Sequence, residues 1–283
     1  MEALPEVTDS NGCFGYTDFD GILERPIPVH GVMGDSHAAL YGQGCHEKGM
    51  VKATYGTGSS IMMNVGPSFI KSGNGLAASL AWRIDGKADY VLEGNINYTG
   101  AVITWLKDTV GLIVDPSETE HMARSANPND QTILIPAFSG LGAPHWNSDA
   151  RAMLCGMTRT TGKAEIVKAA LESIAYQIRD VVSAMEADFG EPLKELRTDG
   201  GPTKNVYLMQ FQSDITGIRV SCANEAELSA VGVAYMAGIA AGVFEKETVF
   251  SLPSYRSYAP GITDECRQAK ISLWQDALRR ALL

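Results

Sequence analysis

No apolar run in this chain approaches the twenty residues that a membrane-crossing helix needs. Its opening residues, Met1-Glu2-Ala3-Leu4-Pro5-Glu6, lack the apolar core of a secretory leader. Basic residues are few: 23 Lys and Arg stand against 33 Asp and Glu, a formal charge of −10. That balance argues against a nucleic-acid surface and leaves no basic cluster for a lipid headgroup. It leaves room for an anionic ligand, because backbone amides bind phosphate without Lys or Arg. The five cysteines (Cys13, Cys45, Cys155, Cys222 and Cys266) are odd in number, scattered, and nowhere spaced C-x-x-C, so reduced, inert thiols are expected. The five histidines are equally dispersed, and no cluster has metal-ligand spacing. Repeats and low-complexity segments are also missing. These absences predict a cytoplasmic protein with neither nucleic-acid nor membrane partners.

What is present is an ordinary globular composition, 45% hydrophobic and 20% charged over 283 residues, which suits one large domain or two small ones. Residues 1–30 are polar and rich in turn formers, and read as a lead-in segment to the first core strand. The domain itself occupies 31–283. Two stretches near its start carry chemistry. Gly34-Asp35-Ser36-His37-Ala38-Ala39-Leu40 places a carboxylate where a helix can begin. Thr54-Tyr55-Gly56-Thr57-Gly58-Ser59-Ser60 reads as strand, glycine turn and strand, because Met50–Thr54 and Ser60–Val65 flank it. A tip with two glycines offers bare amides to an anion. The plainer reading makes Asp35 an N-cap and the Gly-Thr-Gly only a turn.

Further on, 77–84 and 89–91 read as strands about an Asp85-Gly86-Lys87 turn, and 101–108 as a helix with Thr99 as N-cap. One short helix is expected within 116–130. Ile133–Pro136 and Ala152–Met157 are strands. Between them, Phe138–Trp146 is a loop with the composition of a site lining or, alternatively, of a packed Ω-loop. Residues 163–188 give the clearest helix, with nine apolar positions on one face and Gly190 to end it. A strand at 195–198, a turn at Asp199-Gly200-Gly201-Pro202 and a helix at 204–216 form a unit that welcomes a nucleotide, although a plain connection has the same pattern. A strand at 218–222 and a small-residue helix at 227–242 follow. The alternation predicts an α/β fold with a mixed sheet.

Three motifs give the chain a resemblance to the C-terminal half of FGGY-family carbohydrate kinases, and within them to the glycerol kinase branch. One is Gly140-Leu141-Gly142-Ala143-Pro144-His145-Trp146 with Asp149-Ala150-Arg151. Another is Asp199-Gly200-Gly201 followed by Leu208–Ile215. The third, Ala152-x-Leu154-x-Gly156-Met157 with Glu165-Ile166 and Ala169-Ala170-Leu171-Glu172, is similar to the family's second signature at every constrained position. The resemblance covers about residues 30–245. It implies an actin-like ATPase fold, a ribonuclease-H-like mixed sheet with helices on both faces.

The resemblance also implies roles. Asp35 matches the catalytic base that takes the proton of the substrate hydroxyl, Thr57 and Gly58 match a phosphate loop, Gly100 matches a nucleotide contact, and Gly201 and Asn205 match adenosine-side contacts. ATP is the implied co-substrate, with Mg²⁺ bridging its phosphates near Asp35. No residues are expected to hold a metal unaided. Ser36, Ser60 and Thr104 depart from the branch, which has Gln, Phe and Gln there. With Asp35, Ser36 and Ser60 are the expected substrate-side residues, and they suit a longer polyol or ketose better than glycerol. The family's N-terminal sugar-binding domain has no counterpart here, so it becomes an expected partner. The implied function is ATP-dependent phosphorylation of a sugar or polyol hydroxyl, weak or absent in this half alone. The alternative is a non-catalytic ATP/ADP-binding module or a split-enzyme subunit. A homodimer is compatible with either.

Overall fold

The computed structural model describes residues 6–225 and 227–283. In chain order its elements are β1 (Cys13–Thr17), β2 (Ile27–His30), α1 (Asp35–Gly42), β3 (Val51–Tyr55), β4 (Ser59–Gly66), β5 (Ala77–Ile84), β6 (Lys87–Ile96), α2 (Gly100–Thr104), α3 (Glu118–Ser125), β7 (Ile133–Ile135), β8 (Met153–Cys155), α4 (Lys163–Phe189), β9 (Glu195–Asp199), α5 (Val206–Thr216), β10 (Arg219–Ala223), α6 (Leu228–Ala240), α7 (Lys246–Ser251), β11 (Tyr255–Tyr258) and α8 (Asp264–Ala281).

Seven strands form one mixed sheet in the order β11-β10-β9-β3-β4-β6-β5. Its centre, β10-β9-β3, is parallel; β3-β4-β6-β5 runs antiparallel, and β11 closes the other edge antiparallel to β10. Strand alternation feeds two cores. On β4, Ile61, Met63 and Val65 face the larger core, which takes in α4, α5 and α8, while Met62 faces a smaller one with Leu40 and Tyr41 of α1 and Met236 of α6. Helices on both faces of a mixed sheet are the architecture the resemblance implied. No described helix is long and apolar enough to cross a membrane.

Local sequence explains the clearest elements. Helix α4 holds its apolar face for 27 residues and stops where Gly190 turns left-handed, φ +83°. The β5–β6 turn has positive φ at both Asp85 and Gly86, the twist that a two-residue hairpin wants. Small residues let α1 cross α6 at backbone contact: a Cβ on Gly232 would sit 1.9 Å from the Ala38 carbonyl oxygen. This crossing fixes the helix that carries Asp35.

Four expectations need correction. The lead-in is no bare linker: β1 and β2 pair as a ribbon, the Ser10 amide bonds the Arg83 carbonyl at 2.7 Å, and the segment delivers the chain to α1 before any core strand. The 101–108 helix is a short α2 followed by one π turn over Trp105–Thr109. Thr99 stands at the N-cap position as expected but does not cap with its side chain, because its buried hydroxyl pairs with that of Ser59 at 2.7 Å. The helix expected from 204 starts at Val206, after a 3₁₀ turn over Gly201–Lys204.

Candidate active site

The carboxyl ends of the parallel strands β3 and β9 open at one edge of the sheet, where open α/β folds bind ligands. Strand β3 leads into Gly56-Thr57-Gly58, and β9 into Gly200-Gly201. The two loops touch, since Gly200 packs on the Tyr55 carbonyl with a φ of +100°. Beneath them the Tyr55 hydroxyl donates to Gln212 Oε1 of α5 at 2.8 Å, which ties β3 to the helix behind the second loop.

The hairpin tip is docked onto the first turn of α2. The amides of Thr99 and Ala101 donate to the Thr57 carbonyl at 3.0 Å each, and that of Gly100 to the Gly56 carbonyl at 2.9 Å. A Cβ on Gly58 would lie 2.3 Å from the Ile96 carbonyl, and one on Gly100 2.8 Å from the Gly56 carbonyl. Both glycines are therefore required by packing. The start of α2 is occupied by these carbonyls, so the amides left for an anion are those of Thr57 and Gly58, which have no hydrogen-bond partner among the described residues.

Beside the tip lies a cavity of about 460 Å³. Ile103 of α2, Leu171 and Ile174 of α4, and Leu208 of α5 give it apolar walls, and Gly100, Gly201 and Asn205 line it as well. An apolar slot with a few polar edges suits a planar heterocycle. The space off Gly201 is open, with nothing within 4 Å of a built Cβ. Asn205 has structural duties: its side chain accepts the Leu208 amide at 2.9 Å as the α5 N-cap, while Nδ2 donates to the Thr119 hydroxyl at 3.1 Å. Thr104 also bonds within its helix, to the Gly100 carbonyl.

Asp35 is the first residue of α1 and Gly34 takes the cap position, so Asp35 is not the N-cap. Its carboxylate is exposed and accepts the Ser36 amide at 2.6 Å. A negative charge at a helix start is favourable. His37, one step on, meets the Ser79 hydroxyl at 3.3 Å; burial lowers its pKa, Glu93 and Asp35 oppose that, and Lys52 adds to it.

Between these two regions runs a cross-strand row that motif reading passed over. Asp199, Thr54, Ser60 and Asn95 stand opposite one another on β9, β3, β4 and β6. Asp199 Oδ1 accepts the Thr54 hydroxyl at 2.8 Å and the Gln43 amide at 3.2 Å. Burial pushes the Asp199 carboxyl up, and Thr54, Lys52 and Gln43 restrain it. One row below, Lys52 is fully buried, with Nζ donating to Thr54 Oγ1 at 3.1 Å and to Ser60 O and Oγ at 3.3 Å. Its only sequence signal was a lysine on an otherwise buried strand. The 138–146 loop, in contrast, lines none of this cavity. His145 meets Asp180 of α4 at 3.3 Å, Trp146 donates to the Gly75 carbonyl at 2.6 Å, and the Ala143 amide donates to the carbonyl of Asn95 in the cross-strand row at 3.0 Å.

The model of the C-terminal domain of the FGGY family of carbohydrate kinases matches residues 51–241. The chain is 47% identical over 283 residues to glycerol kinase 1 of Thermotoga maritima, covering 99% of this chain and 57% of that protein. It is 44% identical to glycerol kinase of Alkaliphilus oremlandii, covering 99% and 56%. Among solved structures, Plasmodium falciparum glycerol kinase with ADP superposes with a TM-score of 0.93 at 36% identity, over all of this chain and 57% of that one. Ligand-bound xylulose kinase from Lactobacillus acidophilus, at 20% identity, shares the fold with a TM-score of 0.86, over 99% and 58%. The chain thus spans a little over half the length of the relatives it matches.

Proposed function

The chain belongs to the FGGY family of carbohydrate kinases, and from that membership we propose that it is the C-terminal half of an ATP-dependent kinase acting on a sugar or polyol hydroxyl. The observations that carry this reading are an apolar cavity beside a hairpin tip with two free amides, and an exposed carboxylate at the start of α1. Adenosine fits the cavity, with Gly100, Gly201 and Asn205 at its rim, and the phosphates then run toward Thr57 and Gly58. The substrate lies beyond them, against Asp35, Ser36 and Ser60.

Phosphoryl transfer asks chiefly for positioning and charge stabilisation. The substrate hydroxyl oxygen attacks the γ-phosphorus as the bond to the bridging oxygen of ADP breaks, and the hydroxyl proton passes to the Asp35 carboxylate. Among the described residues no three His, Cys, Asp or Glu gather to hold a metal. Asp35, an exposed carboxylate, is the group that would face a Mg²⁺ ion brought in with ATP. The ion, when bound, would neutralise developing phosphate charge. Use of ATP fits a cytoplasmic location. An N-terminal domain of the family type would supply the facing wall of the cleft and most sugar contacts.

Glycerol is the substrate named for the relatives. Ser36 and Ser60, where that branch has Gln and Phe, favour a four- or five-carbon polyol or ketose. Assay of this chain alone and after joining to a family N-terminal domain tests the reading: ADP binding with negligible turnover alone, and sugar phosphorylation once joined, are expected. Robust turnover by the chain alone, or none in the joined protein against a panel of polyols and ketoses, would overturn it. A binding-only module has no use for an exposed Asp35, so that alternative is disfavoured.

A further inference from the structure

The buried ammonium of Lys52 sits one row beneath the hydroxyls of Thr54 and Ser60 and donates to both. An ammonium has donors and no acceptor, so each hydroxyl must receive a bond from it and direct its own proton elsewhere. Thr54 donates its own hydrogen bond to Asp199 Oδ1. Ser60 has no other partner among the described residues and is only half-buried, on the sheet face that carries α1. Its proton has no acceptor among the described residues.

We infer that Lys52 is a positioning residue that fixes the Ser60 hydroxyl as a hydrogen-bond donor, so that the substrate presents an acceptor oxygen there and a ketose is preferred to the polyol of equal length. A carbonyl oxygen only accepts, and meets such a donor without rearrangement. A substrate hydroxyl can accept too, but must find another partner for its own proton. The inference rests on the kinase reading above and deepens it. The groups facing Lys52 are Asp199 of β9, Cys45 in the α1–β3 connection, Asp35 and His37 of α1, and Glu93 of β6. Burial nevertheless lowers its pKa to about 8. The fixed orientation is therefore present below that pH and lost as Lys52 gives up its proton above it.

In the joined kinase, kcat/KM for xylulose and xylitol is measured against pH for wild type, Lys52→Met, Ser60→Ala and the double variant. Wild type should prefer xylulose and lose that preference as pH rises through about 8. Each single variant should lower kcat/KM for xylulose about 3–10-fold, the range of one neutral hydrogen bond. The double variant should be no worse than either, and neither single variant should keep the alkaline limb. Additive losses, or an alkaline limb that survives in Ser60→Ala, would overturn the assignment, and Ser60→Ala decides it even where Lys52→Met does not fold. If wild type phosphorylates no sugar, the kinase reading falls. The assignment is then judged by ¹⁵N-lysine NMR of this chain, in which Ser60→Ala must move the Lys52 titration to lower pH, and an unmoved titration refutes it.

Discussion

Gly200 lies against the main-chain carbonyl of Tyr55 so closely that a Cβ built on it falls 2.0 Å from that oxygen, and its φ of +100° is one that side chains avoid. The two loops at the sheet edge can meet only through a glycine here. Gly200→Ala should lower the melting temperature, costing about 1–3 kcal/mol from the backbone conformation and more from the contact, with loss of ADP binding. Its neighbour behaves differently. The space off Gly201 is empty, so Gly201→Val should melt near wild type yet bind ADP more weakly by calorimetry. Equal ADP affinity in a stable Gly201→Val protein would move the nucleotide to another place.

Among the described residues Asp35 is held by a single bond, from the Ser36 amide, and it contributes no side-chain cap to α1. Asp35→Asn in the joined kinase should cut kcat by about 10²–10⁴ and leave the ADP dissociation constant unchanged. Near-normal turnover would reduce Asp35 to a helix-start charge.

His46 is enclosed by the rings of Tyr41, Trp82 and Phe250, with centroids 4.5, 6.0 and 4.2 Å away. Burial, with Lys246 adding to it, lowers its pKa to about 4, against the bond to the Tyr41 carbonyl. Between 6.5 and about 4 the unfolded chain therefore binds a proton that the folded one refuses, and stability falls as pH drops through that window. Denaturant unfolding at pH 7.5 and pH 5 should show wild type losing on the order of 1–2 kcal/mol more than His46→Gln. Identical pH dependence in the two proteins would mean that the ring is hydrated in solution.

The substrate choice can be read by competition. With Ser36 and Ser60 in place of a long amide and an aromatic ring, the joined kinase should give higher kcat/KM for erythritol or xylulose than for glycerol. A pocket that bonds a hydroxyl rejects analogues lacking it by more than the roughly 1–3 kcal/mol that a methylene supplies. A clear preference for glycerol would make the two serines bystanders.

How much of this was legible depended on how local each signal was. Helix α4, the β3–β4 hairpin and the Asp85-Gly86 turn follow from spacing and turn chemistry within a few residues, and they appear where the sequence puts them. Thr99 takes the N-cap position but makes no side-chain cap bond, which was hidden because its competitor, the Ser59 hydroxyl, lies forty residues away in sequence. The 138–146 loop carries the composition of a site lining, yet it lines none of the cavity and bonds Asp180, Gly75 and the Asn95 carbonyl instead. Lys52 was invisible for a third reason: a lysine on a strand reads as solvated until the sheet's neighbours show that no water reaches it. The row Asp199-Thr54-Ser60-Asn95 likewise exists only once four strands are aligned.

The three bonds that hold the hairpin tip to the start of α2 have a thermodynamic consequence. Helix α2 walls the apolar cavity through Ile103 and Thr104, so the surface offered to a base and the amides offered to a phosphate are already tied together by hydrogen bonds. A nucleotide that binds there has no loop to freeze. At about 0.5–1.5 kcal/mol for each side chain or loop element ordered on binding, this pre-assembly should show in calorimetry as an unusually small entropic loss for ADP. It should also appear in hydrogen exchange as Thr99, Gly100 and Ala101 amides equally protected with and without the ligand, while only those of Thr57 and Gly58 gain protection.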